Sequence, residues 1–171
     1  MKIKRHKTII ILFIVAHLIF LSMDLVTPLI TEGVSVQMFD LMMFKGYDLA
    51  FATTFVSEIS SQGRSLYLFV QMPLDFIYPL LLSIFFYLFF LEQTKNKNFA
   101  LLGFASVIFD YAENISVIIM LTNTNLIAPV VGFASFATIT KGIFYVLNYS
   151  ITIFLLIRCF VQRRKRLQKQ S

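Results

Sequence analysis

The stretch Leu66–Leu91, LYLFVQMPLDFIYPLLLSIFFYLFFL, decides the fold. It carries one acid, Asp75, and no basic residue. A hydrocarbon core of about 30 Å takes about 20 helical residues to cross, so the stretch reads as a membrane span. Strands with open edges leave their backbone unsatisfied in lipid, and no alternating strand pattern is present. Working outward, three more apolar runs are long enough to cross: Thr8 to about Val26, Phe99 to Leu121, and about Ala137 to Ile157. The expected architecture is all-α, a four-transmembrane-helix bundle forming one domain over residues 1–171, with an outer loop at 27–65 and a basic tail at 158–171.

Composition agrees. The chain is 58% apolar and 14% charged, against about 45–50% and about 25% in soluble domains. A single globular core of this size cannot hide that excess, which excludes a soluble enzyme and a disordered chain. The net charge of +6 does not point to nucleic acid, because the basic residues gather at the ends. Lys2, Lys4, Arg5 and Lys7 precede the first span, Lys95 and Lys97 lie in the short loop 92–98, and Arg158, Arg163, Arg164, Lys165, Arg166 and Lys169 close the chain. Twelve of the 15 bases therefore fall on one side, whereas the 27–65 loop is acidic. The bias predicts cytoplasmic termini, with anionic lipid headgroups as partners of the basic ends. The first span reads as a retained anchor, since no small-x-small cleavage site follows it. Cys159 is the one cysteine; an inert boundary thiol is its reading, with palmitoylation as the alternative in a eukaryote.

The outer loop is more than a linker. Val34–Phe44 is rich in Met and Phe. Asp48 is an N-cap candidate for a helix through about Ser60 closed by Gly63, with Leu49, Ala52, Phe55, Val56 and Ile59 at helical spacing. This helix reads as a cap on the bundle, and a lid over an outward-facing pocket is the alternative.

Polar residues inside the spans mark where a site lies, because an ionisable group in lipid normally faces protein or a pathway. Arg64, Tyr67, Gln71, Asp75 and Tyr78 form one stripe on the second span. Asp75 lies roughly 14 Å below Leu66. Pro73 and Pro79 flank it, and Pro79 frees the Asp75 carbonyl. On the third span Gly103, Ser106, Asp110, Glu113 and Asn114 share a face, with Asn98 as N-cap and Asp110 roughly 16 Å deep. The fourth carries Lys141, Tyr145, Asn148 and Thr152, with Lys141 about one turn inside the outer boundary. The first carries His17 and Asp24. Turned inward, these seams make a polar core that opens outward.

Asp75, Asp110 and Glu113 are the candidate acid/base or ion-binding carboxylates. Arg64, Tyr67, Gln71, Asn114, Lys141, Asn148 and His17 are candidate substrate-binding residues. The ordinary use of such groups is interhelical bonding, typically on the order of 0.6–2 kcal/mol per contact. Counting Asp24, the spans hold more acid than base, so a proton or a bound cation has to balance the core. The residues name no cofactor. A metal would need hard oxygen ligands, since two histidines cannot build a three-histidine zinc site.

The segments Gly63-Arg64-x-x-Tyr67-Leu68, Leu74-Asp75-Phe76-x-Tyr78-Pro79-Leu80 and Asp110-x-x-Glu113-Asn114 resemble a group of small bacterial four-helix integral membrane proteins. That group shares GRxxYL, LDFx(F/Y)PL and DxxEN patterns, and the resemblance covers about Asp40 to Leu121. Many of its members carry a Tyr soon after Pro-Leu, where this chain has Leu82 and Ser83. The resemblance implies a bacterial cytoplasmic membrane and brings no established activity, but it singles out Arg64, Asp75, Asp110, Glu113 and Asn114.

Three functions fit these residues. One is a site that binds or acts on a lipid-like substrate, with the carboxyls dividing acid and base roles. The second is a proton- or cation-linked carrier or channel subunit, in which four helices call for a homo-oligomer. The third is a non-catalytic accessory protein whose polar core fixes helix register.

Overall fold

In the computed structural model, which describes residues 2–123 and 125–168, five helices account for most of the chain. They are α1 (Lys2–Ile30), α2 (Leu49–Glu58), α3 (Ser61–Thr94), α4 (Lys97–Thr122) and α5 (Ala128–Gln168). Four of them, α1, α3, α4 and α5, are long and apolar enough to cross a membrane. No strand occurs among the described residues. The chain is an all-α, multi-pass membrane protein.

The spans run longer than hydropathy alone suggests. The first continues to Ile30 instead of stopping at Val26. The last begins at Ala128, inside the expected 122–136 turn, because Pro129 sits in its first turn, where a missing N–H costs nothing. At 41 residues it is about 60 Å long, so its basic end projects well past a bilayer core.

Neighbouring spans are antiparallel. His6 meets Glu92 at 3.4 Å, Phe13 packs on Phe85, and Phe20 on Tyr78, which sets the α1–α3 register. Tyr87 packs on Phe104 across α3–α4, and Phe109 on Phe144 across α4–α5. A Cβ on Gly103 would stand 2.7 Å from the Tyr87 amide nitrogen, so this glycine permits the close α3–α4 approach expected of it. α1 packs along α3, and α5 along α4; α1 and α5 share no comparable seam.

Two apolar clusters close the bundle. At the end carrying both termini, Ile9, Leu82, Phe85, Phe86, Phe89, Phe90, Ala100 and Leu155 pack together. At the other end, Ile30, Met38, Phe39, Phe55, Tyr67, Met72, Met120 and Leu121 do so. Met38 and Phe39 come from the segment between α1 and α2, which therefore inserts into the bundle. Full burial of a Phe contributes about 1.5–3 kcal/mol relative to water, enough to hold such a segment down. Gly46 adopts φ +68°, and a Cβ there would collide with Ile139 and Ser135 at 2.8 Å. The Tyr47 amide then donates to the Ser135 hydroxyl at 2.8 Å, which fastens the segment to α5. Burial also pushes the Tyr47 phenol well above its usual pKa.

Asp48 caps α2 as expected, its carboxylate accepting from the Phe51 amide at 2.9 Å. The helix ends at Glu58, however, and Gly63 does not close it. Ser60 caps a new helix by accepting from the Gly63 amide at 3.0 Å, so Gly63 lies inside α3. The cap of α4 is Asn96, which accepts from the Phe99 amide at 3.2 Å, rather than Asn98. Both shifts follow from tandem polar residues that offer two alternative caps.

Candidate functional site

Between the two apolar clusters lies a polar layer built by every span. α3 changes from α-helical to π-helical over Tyr67–Gln71, just before Pro73. Such a bulge is a common feature of functional sites. One turn on, Pro79 cannot donate to Asp75, and the Asn114 amide takes that freed carbonyl at 3.0 Å. The Tyr111 hydroxyl takes the next carbonyl, Phe76, at 2.8 Å. The proline break is thus stitched to α4, and Asn114 serves the backbone rather than a ligand.

Lys141 is the hub. Its ammonium donates to Asp40 at 2.8 Å and to Asp110 at 3.2 Å, and it contacts the Glu113 carboxylate. The Tyr145 hydroxyl donates to Asp110 as well. The Thr138 hydroxyl donates to Glu113 at 2.6 Å. The Tyr67 hydroxyl lies 3.4 Å from the second Asp40 oxygen. Lys141 therefore stands at the level of the aspartates, roughly 20 Å into α5, and not one turn from its start. The cation on which Asp40, Asp110 and Glu113 converge is the chain's own ammonium, and it offsets only part of their charge.

Asp75 is different. It is only 4% exposed, its Oδ2 is buried, and that oxygen has no hydrogen-bond partner. It lines a cavity of about 270 Å³ together with Asp40, Asp110 and Lys141. The α1 side of this cavity is formed by His17, Phe20 and Met23, and the α5 side by Tyr145 and Tyr149. His17 Nδ1 bonds the Phe13 carbonyl at 2.8 Å, so that nitrogen carries the hydrogen, and in the neutral ring Nε2 accepts from the Tyr149 hydroxyl at 3.1 Å. That bond bridges the α1–α5 gap below the cavity. The expectation of a core opening straight outward is corrected. The inserted segment, with Phe39 and Met43, fills that end, and the cavity lies toward the gap between α1 and α5.

The remaining sequence candidates fall outside the cavity lining. Arg64 donates to the carbonyls of Val56 at 2.7 Å and of Leu121, so it caps the C-terminal turns of α2 and α4. Gln71 is buried near the bulge with Oε1 unpartnered. Glu113 is fully buried behind Lys141. Asn148 is buried with both amide atoms unpartnered. The helix register sets it level with Ser83 and Ser106, whose hydroxyls are also unpartnered, about one turn below Asp110. Asp24 is exposed and leaves the charge count. Among the described residues, no group of three or more His, Cys, Asp or Glu is arranged to hold a metal.

Asp40 and Tyr149 line the cavity without being singled out by the sequence, and Tyr78 and Tyr145, which it places on the inward seams without a role, line it too. By sequence Asp40 is one more acid of the acidic 27–65 loop. The available signal was its setting, a lone acid inside the Met- and Phe-rich run 38–44, a composition unsuited to a solvated loop.

Fold and site together define a multi-pass membrane protein with a buried lysine–carboxylate centre. No family model matches the chain, and neither a curated protein nor a solved structure matches it.

Proposed function

We propose that this protein binds a lipid-like amphiphile whose polar head enters the Asp75 cavity from the membrane through the α1–α5 gap. The observation that carries this reading is the position of the cavity. Apolar clusters close the bundle above and below it, while the α1–α5 side is sparsely packed, with the His17–Tyr149 bond across it and exposed Phe20 in the lining. A site built this way favours a ligand already dissolved in the bilayer over one arriving from water. Any reaction there has Asp75 as its acid or base, since Asp110 and Glu113 are committed to Lys141. Both termini are cytoplasmic in this reading, in a bacterial cytoplasmic membrane. The exposed bases Arg158, Arg164 and Lys165 on projecting α5 meet anionic headgroups.

The test is photo-cross-linking in native-lipid vesicles with an alkyl diazirine lipid. Adducts are expected on α1 near Phe20 and Met23 and on α5 near Tyr145. Adducts spread evenly over the outward faces of all four spans would contradict the reading. Lipid profiles of a deletion strain complemented with wild type or Asp75→Asn then separate catalysis from binding.

A further inference from the structure

Resting on the amphiphile reading, we infer that the head this cavity takes is a primary amine, held as an ammonium whose N–H donates to the Asp75 carboxylate. The geometry of the lining leads there. Of the groups facing the cavity, Asp40, Asp75 and Asp110 are acids and Lys141 is the one lysine. The Lys141 ammonium is consumed by Asp40, Asp110 and Glu113. His17, the other basic group on the lining, spends its two ring nitrogens on the Phe13 carbonyl and the Tyr149 hydroxyl, so no cationic group is left free for a phosphate or a carboxylate, and an anionic head would sit against like charge in a poorly solvated space. A neutral hydroxyl could bond Asp75 but would leave the acid excess as it stands. An ammonium does both, and charge-assisted hydrogen bonds to a carboxylate are the stronger kind.

The walls fit as well. Tyr78, Tyr145 and Tyr149 line the same cavity, and aromatic faces attract cations at short range. A quaternary ammonium would gain that attraction but has no N–H for the Asp75 carboxylate. The volume of about 270 Å³ equals that of about nine liquid water molecules. That holds the ammonium and the first carbons of its chain, and the rest of the alkyl tail leaves beside Phe20 and Met23.

The experiment uses the full chain purified in a nonionic detergent. The chain has no tryptophan, and three of its 7 tyrosines line the cavity, so the change in intrinsic tyrosine fluorescence on titration follows binding there. Titrations compare dodecylamine, dodecanol, dodecyl phosphate and dodecyltrimethylammonium. Dodecylamine is expected to bind at least tenfold more tightly than each of the others. Asp75→Asn is expected to abolish that preference, with helical content and gel-filtration behaviour checked beside it. Should that variant misfold, Phe20→Trp is the second probe: Phe20 is 40% exposed and packs on Tyr78 at the mouth, so the larger ring narrows the entry, its indole becomes the fluorescent reporter, and dodecylamine affinity is expected to fall at least fivefold. Dodecanol or dodecyl phosphate binding as tightly as dodecylamine overturns the amine assignment and leaves the amphiphile reading standing. Equal binding of dodecyltrimethylammonium overturns the N–H donor to Asp75. Failure of all four amphiphiles to bind overturns both.

Discussion

Replacing Lys141 by Met tests the hub most severely. The substitution keeps the stem's volume and removes the ammonium that Asp40, Asp110 and Glu113 share. Removing one partner of a buried ion pair typically costs about 3–5 kcal/mol, because the remaining charge is stranded. Here three carboxylates are stranded, which pushes toward the upper end of that range. Asp40 pulls the other way, since its side chain is 19% exposed and can swing to water. We expect a loss of about 4 kcal/mol, within the 3–5 range and a large share of the roughly 5–15 kcal/mol that holds a domain folded. The loss also has a location. Asp40 is one of two polar tethers between the inserted segment and α5, the other being the Tyr47 amide on Ser135, so residues 38–44 are expected to loosen. Denaturant unfolding in detergent gives the magnitude, and hydrogen exchange at Met38–Gly46 gives the place. Adding Asp40→Asn to the Lys141→Met protein is expected to restore at least about 1 kcal/mol, since coupled neighbours are non-additive. A loss below about 1 kcal/mol, with unchanged exchange over 38–46, would refute the view of Lys141 as the shared counter-ion.

Other substitutions test the surrounding parts. Asn114→Leu leaves the Asp75 carbonyl without a donor and is expected to cost about 1–3 kcal/mol in the same unfolding assay. Arg64→Ala uncaps α2 and α4 and is expected to cost about 1.5–3 kcal/mol while dodecylamine affinity stays unchanged; a lost affinity would return Arg64 to the site. The Ser35 hydroxyl and amide both donate to Glu58 at 2.6 Å and hold its carboxyl below the usual range. A folded pKa below the unfolded one gives stability that is present above the usual carboxylate pKa and lost as the pH falls through the folded value. The stability difference between wild type and Glu58→Gln is therefore expected at neutral pH and absent in strong acid, and a pH-independent difference would contradict it.

The sequence made some of this legible and hid the rest for physical reasons. Span number and approximate position followed from apolar run length, which the bilayer itself sets. The carbonyl freed by Pro79 was legible because proline's missing donor is a local fact, and Asn114 on the facing helix does take it. The shared level of Asp75 and Asp110 followed from counting residues along straight helices. Asp40 was not legible, because it meets Lys141 across 101 residues of chain and the path of an irregular segment leaves no period to read. Arg64 looked like a rim residue of the site because it sits on the Asp75 stripe, yet the guanidinium turned to the orphan carbonyls of two helix ends. Asp24 shares a face with His17 by spacing, but α1 contributes only a narrow strip to the bundle, and Asp24 lies off it.

The central claim is that Asp75 is a free carboxyl reachable from lipid and shielded from water. A hydrophobic carbodiimide dissolved in the bilayer and a water-soluble one supplied outside and inside sealed vesicles test it directly, with adducts mapped by peptide mass spectrometry. An adduct on Asp75 is expected from the hydrophobic reagent and none from the soluble one. Equal labelling by the soluble reagent, or an Asp75 inert to both, would contradict it.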